Sequence, residues 1–147
     1  MSIVVWDGKT LAADRMSVCA GLGVTTSKMS VNGDTVLAWT GDSDRGRALA
    51  DWYWRGADKA DWPLFQIDNE KWTRLIVASK SGCRVYEQEP YALEVLDQFA
   101  AWGSGRDFAY GALEMGADAI KAVQVACKHS IECGMGSEAY NVFNMHE

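Results

Sequence analysis

The chain has 147 residues, 48% of them apolar and 23% charged, which is the size and composition of one globular domain spanning residues 1–147. A net charge of -6 gives no electrostatic reason to expect nucleic acid or an anionic membrane as a partner. No apolar segment reaches the roughly 20 residues that span a bilayer, and no signal-peptide pattern follows Met1, so we expect a cytoplasmic protein.

The chain begins with a predicted β-hairpin. Ile3 to Trp6 is a β-rich apolar run, and the following Asp7-Gly8 pair is a strong two-residue hairpin signal. A return strand over residues 9–13 then brings Asp14 back beside the start of the chain. The N-terminus is therefore expected to be held in a sheet rather than to fray, and this fixes the position of Ser2.

A second hairpin is predicted to follow a loop. Residues 24–31 alternate in character, so a single strand over this range would place Val24, Thr26, Lys28 and Ser30 on one face. Asn32-Gly33-Asp34 is the turn, and residues 35–40 form the returning strand. Four short strands are thus expected before residue 41.

The rest of the chain is predicted to contain three helices and several further strands. The first helix is predicted from Arg45 to Arg55, capped by Asp42 or Ser43 and ended by Gly56. A loop or short helical turn over 57–70 follows, then the strands Trp72–Ser79 and Cys83–Glu87 and a strand or short helix within Tyr91–Ala101. The last predicted elements are the helices Arg106–Met115 and Ala119–His129, the second of them capped by Asp118, and the strand Glu138–Met145. Strands and helices are segregated along the chain, which indicates an α+β fold.

Cys127, His129 and Cys133 lie close together in the sequence and raise the alternative of a zinc site. Their spacing fits none of the common zinc-ligand patterns, and a fourth ligand is missing. We therefore expect reduced thiols packed as small apolar groups, and neither a metal nor a cofactor.

Five short segments, taken in order, carry a resemblance to a known family. They are S-I-V-V at the start, L-A-A-D-R, S-K-M-S, A-W-T-G-D before the first predicted helix, and W-G-S-G-R-D-F-A-Y-G-A, which runs into the second predicted helix. No single segment is specific, but the ordered set resembles the N-terminal nucleophile hydrolases of the proteasome β-subunit and HslV type, including the short proteasome-like chains of phages and bacteria. The resemblance implies a four-layer αββα sandwich with two antiparallel sheets flanked by helices.

The resemblance also implies a role for each matching residue in a peptidase. Ser2 stands at the nucleophile position, where its own α-amine, with a reference pKa near 8, acts as the base. Lys28 matches the lysine whose charge activates the nucleophile, and Asp14 matches the acid that pairs with it. Gly41 matches the glycine whose N–H forms the oxyanion hole, and Ser104 matches a serine near the α-amine. The substrate-binding position falls on Trp39.

The chain departs from the family at two positions. A serine replaces the usual threonine at residue 2, and Ser130 stands where proteasome subunits have an aspartate. The mechanism also requires removal of Met1, because only then does Ser2 carry a free α-amine. If Met1 is retained, the alternative is a catalytically inactive homologue that acts as a structural or interaction module.

Partners are implied by the resemblance alone. A member of this family forms a homo-oligomeric ring, takes peptides or unfolded proteins as substrates, and is expected to work with an ATP-dependent unfoldase. The three tryptophans around the first helix, Trp52, Trp54 and Trp62, are expected to serve packing or subunit contact.

Overall fold

The computed structural model describes residues 2–64 and 72–145 of the chain. Within these ranges the strands are Ile3–Trp6 (β1), Thr10–Asp14 (β2), Met16–Cys19 (β3), Leu22–Thr25 (β4), Met29–Asn32 (β5), Thr35–Gly41 (β6), Thr73–Ser79 (β7), Gly82–Tyr86 (β8), Leu93–Val95 (β9), Ala100–Gly103 (β10) and Ser137–Asn141 (β11). The α-helices are Ser43–Trp54 (α1), Arg106–Glu114 (α2) and Ala119–His129 (α3), and Lys59–Asp61 forms a short 3-10 helix. The described chain is thus a mixed fold of helices and antiparallel sheets. Residues 65–70 of the predicted 57–70 loop lie outside the described residues.

The first sheet has the strand order β10-β1-β2-β11 and includes the start of the chain. Strand β1 lies between two antiparallel neighbours, with Val4 opposite Ala13 on one side and Trp102 on the other. All four residues of β1 are buried, so both faces of the sheet are covered. The prediction that the N-terminal strand is held in a sheet is confirmed, and its pairing on both sides fixes the position of Ser2.

The second sheet is a meander in which β5, β6, β7, β8 and β9 lie side by side in chain order. The predicted strands 35–40, 72–79 and 83–87 are all confirmed, with shifts of one residue at their ends. The ambiguous segment 91–101 forms two short strands, of which β9 closes the second sheet and β10 joins the first.

Strands β3 and β4 form a third, two-stranded sheet that the sequence analysis did not predict. The segment after Asp14 was expected to be a loop, but Met16 pairs with Thr25 across a tight turn at Ala20-Gly21. Both turn residues have positive φ, +50° for Ala20 and +79° for Gly21, a conformation that usually calls for Asn-Gly or Gly-Gly. An alanine in the first position gives no hairpin signal, which explains the wrong prediction.

Two other predicted strands were also wrong in extent. The single strand expected over residues 24–31 is broken between β4 and β5, because β4 pairs with β3 in the small sheet whereas β5 pairs with β6 in the second sheet. The last strand ends at Asn141 instead of Met145, since the Asn141 side chain accepts a hydrogen bond from the amide of Phe143 (2.9 Å) and turns the chain. Six strands, not four, therefore precede α1.

Helices α1 and α3 agree with their predicted positions because their N-terminal caps are encoded locally. The Asp42 carboxylate accepts from the amide of Arg45 and begins α1, and the Asp118 carboxylate accepts from the amide of Lys121 and begins α3. Gly56, with φ +114°, follows α1, as expected for a helix end. None of the helices in the described ranges is long and apolar enough to cross a membrane.

The buried apolar side chains form three clusters, which show how the sheets and helices stack. One cluster joins the inner faces of the two larger sheets, for example Val4 and Leu11 with Ile76 and Val85. A second packs the other face of the first sheet against α2 and α3. It contains Ile3, Val5, Ala12, Ala109, Leu113, Ala122, Val123 and Ala126. A third packs the other face of the second sheet against α1. It contains Leu37, Trp39, Leu75 and Val77 with Leu49 and Trp52.

Candidate active site

Asp14 and Lys28 form a buried ion pair at the end of β2. The Lys28 Nζ lies 2.9 Å from Asp14 Oδ1, and the two side chains are 4% and 0% exposed. Removing two charges from water is costly, so such a pair persists only where further hydrogen bonds satisfy it. A pair this deeply buried is unusual for a structural ion pair and marks a candidate functional site.

The carboxylate of Asp14 connects three segments of the chain. Its Oδ1 accepts from the amide of Ile3 (3.1 Å) as well as from Lys28, and its Oδ2 accepts from the amides of Gly134 (3.1 Å) and Met16 (3.4 Å). The lysine ammonium and the amide that follows Ser2 therefore meet on one carboxylate oxygen. This arrangement places the positive charge of Lys28 next to the start of β1.

Ser2 is buried at the start of β1, where it is 1% exposed. Its hydroxyl oxygen is buried and makes no hydrogen bond within the described ranges. A buried hydroxyl without a partner is costly, because the group has given up its bonds to water. Such a group is a candidate nucleophile, since its hydroxyl is not engaged in holding the fold together.

The segment 103–105 packs directly against the backbone of Ser2. The amide of Gly105 donates to the Ser2 carbonyl (3.3 Å), and a Cβ on Gly103 would overlap that same carbonyl. Gly103 also has φ +109°, which L side chains rarely adopt. Ser104 lies between these two glycines, so the fold places it beside Ser2. The side chain of Ser104 is exposed, whereas Ser2 is buried.

Gly41 and Lys28 line the same open cleft, which has a volume of about 560 Å³. Gly41 is the last residue of β6, has φ +91°, and approaches β7 so closely that a Cβ would overlap the carbonyl of Trp72. The other residues of the cleft are Met16, Ser17, Val18, Cys19, Val24, Thr26, Asp42, Ser43, Asp44, Arg47 and Trp72. Val24, Thr26 and Lys28 share this cleft. Ser30, which was predicted for the same face, does not line it, and its hydroxyl accepts from the indole N–H of Trp54 (2.8 Å) instead.

The Trp39 amide donates to the carbonyl of Lys28 (3.1 Å), but the Trp39 side chain packs against α1. It is 5% exposed and belongs to the cluster between the second sheet and α1, where Gly46 leaves room for its indole ring. Of the predicted site residues, only Lys28 and Gly41 line the cleft, and Ser2, Asp14, Ser104 and Trp39 do not. The role of Trp39 in substrate binding stays a prediction. Arg47 and Asp44, at the start of α1, line the cleft instead, and sequence analysis did not select them.

Comparison with solved structures identifies the architecture that carries this site. The chain is similar to BPH from Thiobacillus denitrificans, solved alone and in complex with epoxomicin, with a TM-score of 0.72 and 21% identity in both cases, over 95% of this chain and 96–97% of that one. It is also similar to eukaryotic HslV from Trypanosoma brucei, with a TM-score of 0.66, 19% identity, and coverage of 95% and 97%. The chain has an HslV-like proteasome β-subunit fold. Neither protein-family models nor curated protein sequences match it.

Ser130 stands at the position where the resemblance to proteasome subunits implied an aspartate. Ser130 ends α3, its amide donating to the carbonyl of Ala126 (2.8 Å) and its hydroxyl accepting from the amide of Glu132 (3.2 Å). The chain thus continues from α3 into the loop that donates the Gly134 amide to Asp14, and sequence analysis had not selected that amide as part of the site.

The close approach of Gly103 to Ser2 in this HslV-like fold gives a first testable prediction. Gly103→Ala should lower the free energy of unfolding by about 3 kcal/mol, because the new Cβ meets the Ser2 carbonyl and the positive φ is strained. Gly33→Ala is the matched control, since Gly33 also has a positive φ (+60°) but has open space around it, and it should cost only about 1 kcal/mol. Chemical denaturation measures both, and equal losses would contradict the proposed packing.

Proposed function

We propose that this chain is a peptidase that uses Ser2 as an N-terminal nucleophile after Met1 has been removed. One observation carries the proposal: the buried hydroxyl of Ser2 makes no hydrogen bond within the described ranges, and the amide of the next residue shares a carboxylate oxygen with the Lys28 ammonium. A nucleophile must have its hydroxyl free and a positive charge nearby to stabilise the anion that develops.

The proposed chemistry assigns one step to each group. The Ser2 hydroxyl attacks the scissile carbonyl while the Ser2 α-amine accepts its proton, since an amine with a pKa near 8 is partly neutral at neutral pH. The amine then passes this proton to the leaving peptide nitrogen as the C–N bond breaks and leaves an ester on Ser2. A water molecule attacks the ester, its proton returns to the Ser2 oxygen through the α-amine, and the acid product leaves. Lys28, held by Asp14, stabilises the developing negative charge. The Gly41 amide, at the edge of the cleft, supplies the oxyanion-hole hydrogen bond, and Ser104 bonds near the α-amine.

The proposed substrate is a peptide or an unfolded protein bound in the cleft that Gly41 and Lys28 line. The open cleft admits an extended chain, and its walls come from the β3–β4 hairpin, the start of α1 and the end of β6. By likeness to HslV, we further propose a homo-oligomeric ring in the cytoplasm, with an ATP-dependent unfoldase as partner.

The same proposal includes the arrangement of layers. We infer that residues 1–147 form one domain, in which the three apolar clusters separate four layers: α2 and α3, the first sheet, the second sheet, and α1. Such a sandwich leaves the ends of β1, β2 and β6 at the same edge of the two sheets. The candidate residues Ser2, Asp14 and Gly41 lie at those ends.

The experiment that tests the function uses the state of the N-terminus. One preparation of the chain is divided, and half is treated with a methionine aminopeptidase until intact mass shows that Met1 is absent. Hydrolysis of a fluorogenic peptide should rise in proportion to the fraction of chains that begin at Ser2, because only these carry the base and the nucleophile on one residue. Epoxomicin, which was solved bound to the similar BPH, should block the activity of the treated half.

A specific observation favours a second candidate, a catalytically inactive homologue. Ser130 replaces the aspartate expected after the last helix, so one charge of the family's site is absent from this position. If chains shown by mass to begin at Ser2 hydrolyse no peptide and do not retain epoxomicin, the inactive interpretation replaces the peptidase.

A further inference from the structure

Glu138, on β11, connects the two segments that carry the Asp14–Lys28 ion pair. Its Oε2 accepts a hydrogen bond from the hydroxyl of Ser27 (3.0 Å), the residue before Lys28. Its Oε1 lies 3.3 Å from Nε of Arg15, the residue after Asp14. The carboxylate therefore contacts the chain neighbours of both members of the pair, and the proposed peptidase mechanism gives it no role.

The two contacts of the Glu138 carboxylate differ in kind. Arg15 Nε and Glu138 Oε1 are buried, and neither atom makes a hydrogen bond with a described group, so charge alone holds them together. The Glu138 side chain as a whole is 18% exposed. The hydrogen bond from Ser27 is therefore the directional contact of this carboxylate.

Ser27 transmits this contact to the backbone on the far side of Lys28. The Ser27 oxygen accepts from the amide of Met29 (3.3 Å), and its hydroxyl has two acceptors within reach, Glu138 Oε2 (3.0 Å) and the carbonyl of Met29 (3.1 Å). A hydroxyl has one proton, and a carboxylate is the stronger acceptor, so the proton goes to Glu138. Without the carboxylate, the hydroxyl would donate to the Met29 carbonyl instead, and the turn around Lys28 would change.

The position of the Lys28 ammonium depends on this turn. The backbone of Lys28 is held by the amide of Trp39, which donates to its carbonyl (3.1 Å), and its ammonium is held by Asp14 (2.9 Å). A lysine has a flexible four-carbon stem, so its ammonium keeps one position only if the backbone that carries it is fixed. Glu138 lies on the first sheet and Lys28 leads into the second, so the bond to Ser27 also joins the two sheets beside the site.

We propose that Glu138 is a positioning residue that acts on Lys28 through the hydroxyl of Ser27. This inference rests on the proposed peptidase function, in which the Lys28 ammonium stabilises the developing negative charge. Neither Glu138 nor Ser27 lines the cleft. Glu138 should therefore affect the chemical step and not the binding of substrate.

The kinetic test compares variants in chains that begin at Ser2. Glu138→Ala should lower kcat about 10–100-fold and leave KM within about threefold, because a misplaced ammonium stabilises the transition state less while the cleft is unchanged. Glu138→Gln keeps an oxygen that can accept from Ser27, so it should recover most of the loss. In the Ser27→Ala background, Glu138→Ala should lower kcat by less than about a further twofold, since the hydroxyl that connects Glu138 to the turn is already absent.

Glu94→Ala is the matched control. Glu94 is also a strand glutamate beside an arginine, with its Oε1 4.0 Å from Arg84 Nε, and neither residue lines the cleft. The kcat of Glu94→Ala should stay within about twofold of the wild type, because an exposed ion pair contributes little. Equal losses of kcat in Glu138→Ala and Glu94→Ala would overturn the proposal, and so would an undiminished loss in the Ser27→Ala background.

A second measurement does not depend on cleavage. The chain is labelled with ¹³C-lysine, and the Cε–Hε signal of Lys28 in the NMR spectrum is assigned from its absence in Lys28→Arg. Glu138→Ala should shift this signal, whereas Glu94→Ala should leave it in place. If the wild type cleaves no peptide, the peptidase proposal fails, and the Lys28 signal still tests the positioning by Glu138. An unchanged signal in Glu138→Ala that is folded by circular dichroism would overturn the proposal.

Discussion

Replacing Lys28 by methionine should lower the free energy of unfolding by about 3–5 kcal/mol, a large share of the stability of a chain this size. The substitution leaves the Asp14 carboxylate buried at 0% exposure without its positive partner. Three backbone amides still donate to that carboxylate, so Lys28→Met should fall near the lower end of the range. Urea denaturation followed by circular dichroism measures the loss.

Replacing the acid of the pair, Asp14, should lower the free energy of unfolding at least as much. Asp14→Ala leaves the Lys28 ammonium buried without the carboxylate, and it also removes the acceptor for the amides of Ile3, Met16 and Gly134. Each buried amide that loses its acceptor costs about 1–3 kcal/mol. We therefore expect Asp14→Ala to be at least as destabilising as Lys28→Met, and to fold poorly at 37 °C.

A double-mutant cycle separates the charge pair from the amides. In the Asp14→Ala background, the further change Lys28→Met should cost less than about 1 kcal/mol or restore stability, since it removes a buried charge that has lost its counterion. The exposed Asp51–Arg55 pair, with side chains 72% and 61% exposed, is the control, and Arg55→Met should change stability by less than about 0.5 kcal/mol. Additive losses at Asp14 and Lys28 would show that the two charges do not act as a pair.

The parts of this fold that could be predicted from sequence are those encoded by nearby residues. Asp42 and Asp118 accept from amides three residues on, and both helices begin where such caps predict. The strand Ile3–Trp6 and its Asp7-Gly8 turn follow from an apolar run and a turn pair. In each case the stabilising contact lies within a few residues of the signal, so one sequence is sufficient.

The parts that could not be predicted depend on contacts between distant residues. The hairpin turn at Ala20-Gly21 carries no turn signal, and the break after β4 arises because β4 and β5 pair with different strands in different sheets. The amide of Gly134 reaches Asp14 across 120 positions of the chain, which no local pattern indicates. The resemblance to a known family did predict that Asp14 pairs with Lys28. It could do so because it matches an ordered set of segments along the chain, whereas a local pattern covers only neighbouring residues.

Replacing Ser2 by alanine is expected to lower peptide cleavage by at least about 10³-fold, because the hydroxyl is the proposed nucleophile. The same change should alter the free energy of unfolding by less than about 1 kcal/mol, since the hydroxyl makes no hydrogen bond within the described ranges and its removal leaves no group unsatisfied. A large loss of activity with unchanged stability is a combination that a structural serine would not produce.

Ser2→Thr is the conservative variant that completes the argument. Threonine keeps the hydroxyl and adds a methyl group that restricts χ1, so cleavage should stay within about tenfold of the wild type. Intact mass must show that Met1 is absent from wild type and both variants, so that rates compare chains with the same free α-amine. Cleavage that survives Ser2→Ala would place the activity elsewhere. If Ser2→Thr loses cleavage as severely as Ser2→Ala, the buried site, in which Ser2 is 1% exposed, excludes the added methyl group. The Ser2→Thr variant would then give no support for the hydroxyl as the nucleophile.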